Sequence, residues 1–424
     1  MSRVIALVDI NNAFVSMARL FDPTLRGVPV VIAGNNDSII VARSYEAKDL
    51  NIKMAQPYFQ VKHLEQQGLV RRSANFALFT NISQRVRATM EDFSLSVIPY
   101  SIDENFCILN DKEKGSLEAY GQLMRKEILK RTGQPCGIGI SSTRTLSKAC
   151  NYCAKTYPAT GGVVNIYRND SKRRRMLNVV PVGEVWGCGK ATTKKLNELG
   201  ITTALQLADL KPEEAKSKFG INLSKTILEL NGTEATEWDP DYSISQQIIA
   251  SRSLGEKTDC KKSLLASIAA HVSRGSKKLR NQKAVAKSIT VSIQTSPFIK
   301  NEPGYTKSET AKLDFATADN RELLRIATRI FESIYRPGFR YSKTGIQLSN
   351  IVPVSEQQID LFFNTETENK KTSLMSTLDE LNSRYGNGTV KMATETTTND
   401  WKGKSESQPP NYTGSWEELA IVKA

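Results

Sequence analysis

The sequence predicts a multidomain α+β protein whose first sheet is a ferredoxin-like split βαβ arrangement, and three observations carry that prediction. The chain has 424 residues, more than one ordinary domain of roughly 100–200 residues uses, so roughly two to four units are expected. Up to Ile166 the apolar periodicity switches between strand and helix signals in the order β, α, β, β, α, β, with one extra helix and strand. Farther on, Val285, Ile289, Val291 and Ile293 alternate with Ser288, Thr290, Ser292 and Gln294. That is the pattern of a sheet wet on one face and covered by helices on the other.

Taken in order, residues 4–8 read as a buried strand, and Ile82, Val86, Met90 and Phe93 have the spacing of an amphipathic helix. A strand, turn and strand follow over 96–109. Leu117, Tyr120, Met124 and Ile128 mark a helix that stops at Gly133; 137–140 reads as a strand, a helix follows Ser142, and 163–166 reads as another strand. The residues between the first strand and the first helix carry their own strand (28–33), a helix signal (45–50) and Gln- and Pro-rich turns, so they read as an inserted subdomain. A composition break at Lys172-Arg-Arg-Arg175 opens a small helical stretch, in which Gly187-Cys-Gly189-Lys190 leads into a helix around 194–199. Residues 233–245 read as a linker, and Leu264, Ile268, Val272 and Leu279 mark the helix before the alternating strand. After Pro353 the chain turns polar: 364–373 reads as a flexible tether, and Leu374, Leu378, Leu381 and Tyr385 as one short helix.

Lys and Arg number 58 against 44 Asp and Glu, a net charge of +14. This favours nucleic acid or another anionic surface as partner and says nothing about fold. The stretch 252–287 holds ten Lys or Arg and two acids, the most concentrated basic surface. Five apolar residues before Asp9 are too few for a signal peptide or a membrane span, so a cytoplasmic protein without a membrane partner is expected. Six cysteines include one CxxC, at Cys150 and Cys153, and the two histidines are His63 and His271. Ordinary buried thiols, not a zinc site, are the expectation.

Acid set into this basic chain marks the candidate chemistry. Asp9 ends the first strand, and Asp103-Glu104 lies inside the predicted strand–turn–strand. In a continuous strand Asp103 and Glu104 would point to opposite faces, so both reach one site only if a turn or bulge lies there. An exposed acidic hairpin tip is the plain alternative. With Asp9 in the same sheet, three carboxylates come within reach of two Mg²⁺ ions about 3.5–4 Å apart, which activate a 3′-hydroxyl and stabilise leaving pyrophosphate.

Asp-Ile-Asn-Asn-Ala-Phe-Val-Ser at 9–16, Ser-Ile-Asp-Glu at 101–104 and Tyr-Glu-Ala-Lys at 45–48 resemble the Y-family translesion DNA polymerases, in particular the bacterial UmuC-like branch. The resemblance runs through 42–54, 81–106, Ser251-Arg-Ser-Leu-Gly-Glu256, 341–348 and the tail. It implies a palm (1–20 and 75–167), inserted fingers (21–74), an all-α helix-hairpin-helix thumb (168–232) and the linker (233–245). An α/β little finger with a four-stranded sheet and two helices (246–352) and a clamp- and partner-binding region (353–424) complete the layout. Asp9, Asp103, Glu104 and the Ile10 carbonyl would hold two Mg²⁺ ions, with Mn²⁺ as a substitute.

Phe14 falls on the family's steric gate, where an aromatic ring under the sugar excludes a ribose 2′-hydroxyl; a plain core role is the other reading. Tyr45, Lys48 and Lys155 match residues that hold the triphosphate of the incoming deoxynucleoside triphosphate, and Lys148 lies two turns before Lys155. Three positions depart from the family pattern: Ala13 replaces an aromatic, Lys48 an Arg, and Asn105 an Ala.

For the DNA primer-template, the resemblance implies phosphate contacts from Gly187, Gly189 and Lys190, and from Arg252, Lys277, Lys278 and Arg280. Gln358-Ile-Asp-Leu-Phe362 is similar to the peptide that bacterial polymerases dock on the β sliding clamp, through Gln358, Leu361 and Phe362; packing on its own domain is the alternative. A UmuD′-like dimer and RecA are further implied partners, and error-prone synthesis in the SOS response to DNA damage is the implied work. The rival readings are a catalytically silent homologue that occupies clamp-bound primer ends, and a nucleotide cyclase on the same palm topology.

Overall fold

The computed structural model describes residues 3–110, 116–236, 244–298, 302–356, 365–396 and 398–419. It divides into two compact units, the first made of Met1–Gly34, Ser38–Trp238 and Ser407–Ala424, the second of Asn35–Asp37 and Asp239–Glu406.

In the first unit the elements run β1 (Val4–Ile10), α1 (Ala13–Phe21), β2 (Val30–Ala33), β3 (Ile40–Arg43), α2 (Tyr45–Asp49), β4 (Val70–Ser73) and α3 (Phe76–Glu91). They continue as β5 (Ser96–Pro99), β6 (Glu104–Leu109), α4 (Leu117–Thr132), β7 (Cys136–Ser141), α5 (Arg144–Thr156) and β8 (Val163–Asn165). Five helices follow: α6 (Asp170–Val179), α7 (Lys190–Glu198), α8 (Ala204–Ala208), α9 (Pro212–Phe219) and α10 (Ile221–Leu230).

The large sheet has the order β5-β6-β1-β7-β8. Its first four strands are antiparallel neighbours, and β8 is added parallel to β7 after α5. That is the split βαβ order with one strand appended. β1 sits at the centre, buried on both sides, which is why its sequence is nearly continuous apolar rather than alternating. Val4, Ala6, Val8 and Ile10 join the core under α3 and α4, with Ile82, Met90, Met124 and Ile128. Ile5 and Leu7 pack with Phe106 on the other face. Asn75 caps α3 by accepting the Leu78 N–H, Ser116 caps α4 by accepting the Ala119 N–H, and Gly133 closes α4 in the left-handed region at φ 68°.

The inserted segment forms a three-stranded sheet, β3-β2-β4, with one antiparallel and one parallel pair. β3 and β4 have four residues each, too few for periodicity to reveal. α1 is also beyond the sequence expectation, although Asn12, a residue type favoured before helices, stands ahead of it; Asn12 enters at φ 47° without a side-chain capping bond.

In the second unit, β9 (Gln247–Thr258), β10 (Ala284–Thr295), β11 (Thr306–Thr317) and β12 (Tyr341–Pro353) form an antiparallel sheet ordered β11-β10-β12-β9. α11 (Lys261–Asn281) and α12 (Asn320–Ile334) cover one face, where Leu264, Ile268, Ile289, Val291 and Phe331 are buried. The other face bears Thr290, Ser292 and Gln294 opposite Thr310, Ser308 and Thr306.

The C-terminal region corrects the expectation of a flexible tail. α13 spans Thr365–Arg384, overlapping the segment expected to be a tether, and Met375 and Trp401 are buried, Trp401 within the core of the second unit. The segment from Ser407 returns to the first unit, where Ser407 accepts the Ser73 N–H along the edge strand β4 and Tyr412 stacks on Phe21. Polar residues at these positions serve hydrogen bonds to the domains, so polarity alone misrepresents the order of this region.

Candidate active site

The β1–β6 register sets Asp9 directly opposite Glu104 and Leu7 opposite Phe106. Opposed residues of an antiparallel pair project from the same face, so both carboxylates leave the sheet together. The Ile10 N–H donates to the Asp103 carbonyl at 3.0 Å, fastening the bend before β6 to the end of β1. Within the bend, Ser101 Oγ accepts the N–H groups of Asp103 (3.3 Å) and Glu104 (3.0 Å) and donates to Asp103 Oδ1 (2.6 Å). The adjacent acids therefore do not alternate along one strand: Glu104 opens β6, and Asp103 lies in the bend with its carboxylate on Ser101.

α5 lies over this face and supplies the counter-charges. Thr143 caps it, Ser147 Oγ donates to the Ile5 carbonyl (2.9 Å), and Asn151 Nδ2 donates to the Gly137 carbonyl (2.7 Å). Only glycine fits beneath the helix at position 139, because a Cβ there would stand 2.2 Å from the Ser147 carbonyl oxygen. Held this close, α5 directs Lys148 Nζ to Glu104 Oε2 at 2.6 Å and Lys155 Nζ to Asp9 Oδ1. Lys148 Nζ also lies 4.4 Å from the Tyr100 ring centre and 5.5 Å from that of Trp186, a cation–π cradle that no sequence signal disclosed.

Burial pushes the Asp9 carboxyl up to about 7; Lys155 opposes the rise, while the charges of Glu104 and Asp103 add to it. The acidic donors at the site are carboxylate oxygens, which suit a hard divalent cation. Among the described residues no three acidic, His or Cys side chains already stand together as a metal cluster. Asp9 and Glu104 share a face, and Asp103 is hydrogen-bonded to Ser101.

The inserted segment contributes the remaining charges. Ser44 caps α2, whose first residue, Tyr45, is half exposed, and the hydroxyl of Tyr45 is made harder to ionise by burial and by Asp9. Lys48 Nζ stands 4.4 Å over the Tyr45 ring, and its pKa is lowered by burial and by the charges of Arg43 and Lys155. Tyr45 and Lys155 thus share the surroundings of Asp9, and Lys48 those of Lys155. Arg43, Lys48 and Lys155 gather positive charge beside the half-buried carboxylates, an arrangement chemically able to hold a polyphosphate.

Phe14 is half-buried on α1, stacked on Phe79 (4.8 Å between ring centres, 8°) and edge-on to Phe76 (5.7 Å, 87°). Ala13 is buried at the start of α1. Asn105 lies on the opposite face from Glu104, 2% exposed, and its amide Nδ2 has no hydrogen-bond partner. Ser101, Tyr100, Trp186 and Arg43 are the neighbours sequence reasoning missed; Arg43, Tyr100 and Ser101 lay within stretches that carry the resemblance, and Trp186 did not.

Gly187 has φ 95°, and Gly189 precedes α7 without a side-chain cap, leaving first-turn N–H groups for an outside acceptor beside Lys190. A cavity of about 850 Å³ lies there, lined by Gly189, Lys190, Thr193 and Lys194. In the second unit Arg252 and Lys278 are exposed. Lys277 instead donates to Asn387 Oδ1 (3.0 Å), and Arg280 forms a bidentate pair with Asp379 (2.6 and 2.9 Å), so the C-terminal region occupies both. Gln358, Leu361 and Phe362 lie outside the described residues.

Compared with solved structures, the chain has the Y-family DNA polymerase fold. It covers 99% of a Y-family DNA polymerase chimera of Dbh and Dpo4 with 82% of its own length, at a TM-score of 0.63 and 19% identity. The chain belongs to the impB/mucB/samB family: residues 8–151 match that family's model and 245–361 its C-terminal domain. Residues 372–422 match a domain of unknown function, DUF4113. Protein ImpB of Salmonella typhimurium is 37% identical over 99% of each chain, and Protein UmuC of Salmonella typhimurium strain LT2 36% identical over 99% of this chain and all of the other. DNA polymerase IV of Bacillus anthracis is 27% identical over 91% of each chain.

Proposed function

We propose that the protein is a template-directed DNA polymerase that carries out error-prone translesion synthesis in the bacterial SOS response. The observation that carries this reading is the opposition of Asp9 and Glu104 beneath α5, with Lys155, Lys48 and Tyr45 gathered around Asp9. In this reading residues 1–20 and 75–167 are the palm, 21–74 the fingers, 168–232 the thumb and 246–352 the little finger.

Asp9, Asp103, Glu104 and the Ile10 carbonyl are the residues that would hold divalent cations, with Mg²⁺ the physiological choice. Bound there, the metal would activate the primer hydroxyl and neutralise the leaving pyrophosphate. Lys48 and Lys155 take the triphosphate as point charges, and Tyr45 donates its hydroxyl to it. Phe14, braced by Phe79, holds a rigid ring where a ribose 2′-hydroxyl would project. The open N-terminus of α7 grips backbone phosphate without reading sequence. On the second unit we assign duplex contact to the hydroxyl-rich sheet face; Lys277, Lys278 and Arg280 stand on α11, which covers the opposite face, and Arg252 lies near Arg274 of that helix. Gln358, Leu361 and Phe362 serve a β sliding clamp, and a UmuD′-like dimer and RecA are the remaining proposed partners.

Primer extension with Mg²⁺ on undamaged and lesion-bearing templates, with and without clamp, tests the reading. The wild type should extend both templates and Asp103→Asn neither. Equal extension by the two proteins would overturn the metal site; no extension by either, with primer-template still bound, would leave the catalytically silent homologue standing.

A further inference from the structure

We propose that the second unit carries a phosphate-binding site between α11 and the segment 378–402, within the region that matches the domain of unknown function. A cavity of about 590 Å³ opens there, within the range small-molecule sites occupy. Six basic side chains line it: Arg274, Lys277, Lys278, Arg280, Lys391 and Lys402. The acids are Asp379 and Glu395, and both are engaged. Asp379 holds Arg280 in a bidentate pair; Glu395 accepts from Ser273 Oγ (2.5 Å) and from the Met392 N–H (3.2 Å). Lys277 meets only the neutral Asn387 amide oxygen among the described residues. The cavity therefore has more cation than the protein compensates: Arg274 is exposed and feels the charge of nearby Arg252, with Glu395 as its one opposing charge among those named.

Trp401 forms part of the cavity wall at 4% exposure. The ring is fixed edge-on to His271 (6.1 Å), and its carbonyl accepts the Gly255 N–H (3.2 Å). The rim is also built: buried Asn382 donates to the Val390 carbonyl (2.9 Å) and accepts the N–H groups of Gly388 and Val390 (3.0 Å each), ordering the loop that carries Lys391. Several cations around one volume suit a tetrahedral, multiply charged acceptor better than a planar carboxylate. The ligand is a phosphate group, borne either by a small phosphorylated molecule or by a nucleic-acid backbone.

The test titrates the full chain with pyrophosphate in chelator-containing buffer at fixed ionic strength, following tryptophan fluorescence and Tm. Saturable binding with a rise in Tm is expected, since a ligand that binds only the folded state stabilises it. Arg274→Ala should weaken it at least tenfold, as should Lys391→Glu, whose exposed side chain leaves folding intact; Lys261→Ala, a charge lost elsewhere on α11, should not. Trp401→Phe should keep the Tm rise and lose the fluorescence change. Lys155→Ala should leave binding in place, which separates this site from the triphosphate receptor of the first unit. Competition by a thymidine oligonucleotide would identify the backbone as the source, and its absence a small molecule. No saturable binding, binding indifferent to Arg274 and Lys391, or binding abolished by Lys155→Ala would each overturn the proposal.

Discussion

Gly139→Ala tests whether the closeness of α5 to the sheet makes the site. The added Cβ would stand 2.2 Å from the Ser147 carbonyl oxygen, 2.4 Å from the Asn151 nitrogen and 2.8 Å from Cys150 Cβ. Two of these are backbone atoms, so relief requires the helix itself to retreat by about 1 Å to reach ordinary contact. That movement stretches the Ser147–Ile5 bond (2.9 Å) and the Asn151–Gly137 bond (2.7 Å) past hydrogen-bonding range. Overpacking costs about 1–3 kcal/mol, and each buried hydrogen bond lost about 0.5–1.5 kcal/mol. The expected loss is thus about 2–6 kcal/mol, a large part of a typical domain stability. In molecules that remain folded, Lys148 and Lys155 withdraw with α5, and a 1 Å misplacement costs about a hundredfold in rate. Urea unfolding followed by circular dichroism measures the first quantity, and single-turnover primer extension at low temperature the second. Gly137→Ala is the internal comparison, because its Cβ meets the movable Lys155 Cγ at 3.1 Å and should cost far less. If Gly139→Ala were as stable and active as the wild type, the account of α5 as the positioning element would be wrong.

Burial, with the charges of Arg274 and Arg252, lowers His271 from an ordinary 6.5 to about 3. Its unfolded imidazole takes up a proton below about 6.5 while the folded one stays neutral. Its contribution is therefore complete above that pH and falls by about 1.4 kcal/mol per unit toward 3, about 2 kcal/mol by pH 5. Asp9, raised to about 7, works oppositely in the same window, so the readout is the difference between wild type and His271→Gln in urea unfolding at pH 7 and 5. Identical pH dependence in the two proteins would contradict the burial argument. Phe14→Ala should raise ribonucleotide relative to deoxynucleotide incorporation about tenfold or more, tenfold being 1.4 kcal/mol of discrimination; an unchanged ratio would make Phe14 a core residue only. Replacing Leu361 and Phe362 together by Ala should remove stimulation by the sliding clamp and spare basal extension, whereas loss of both activities would indicate misfolding.

Much of the local structure was legible because it is written in short-range chemistry. Gly133 closes α4, the apolar run of β1 announces a buried strand, and alternation along β10 marks a sheet with one wet face. α1, nine residues long, was not separated from the inserted segment, and β3 and β4 are too short to display a period. In the C-terminal region, polar composition suggested a tether, yet Asp379 holds Arg280 and Trp401 enters the core. Those partners lie about a hundred residues away or more, out of reach of any window on the sequence.

The sequence by itself determined which acids stand at strand ends, which lysines lie two turns apart on α5, and the order of the large sheet's strands with α3, α4 and α5. Periodicity, caps and turns need only neighbouring residues. The tertiary structure decided that Asp9 faces Glu104, that Lys148 and Lys155 each reach a different carboxylate, and that the C-terminal region occupies Lys277 and Arg280. Register and packing distance depend on segments far apart in the chain, and a shift of one residue between β1 and β6 would have turned the two acids to opposite faces.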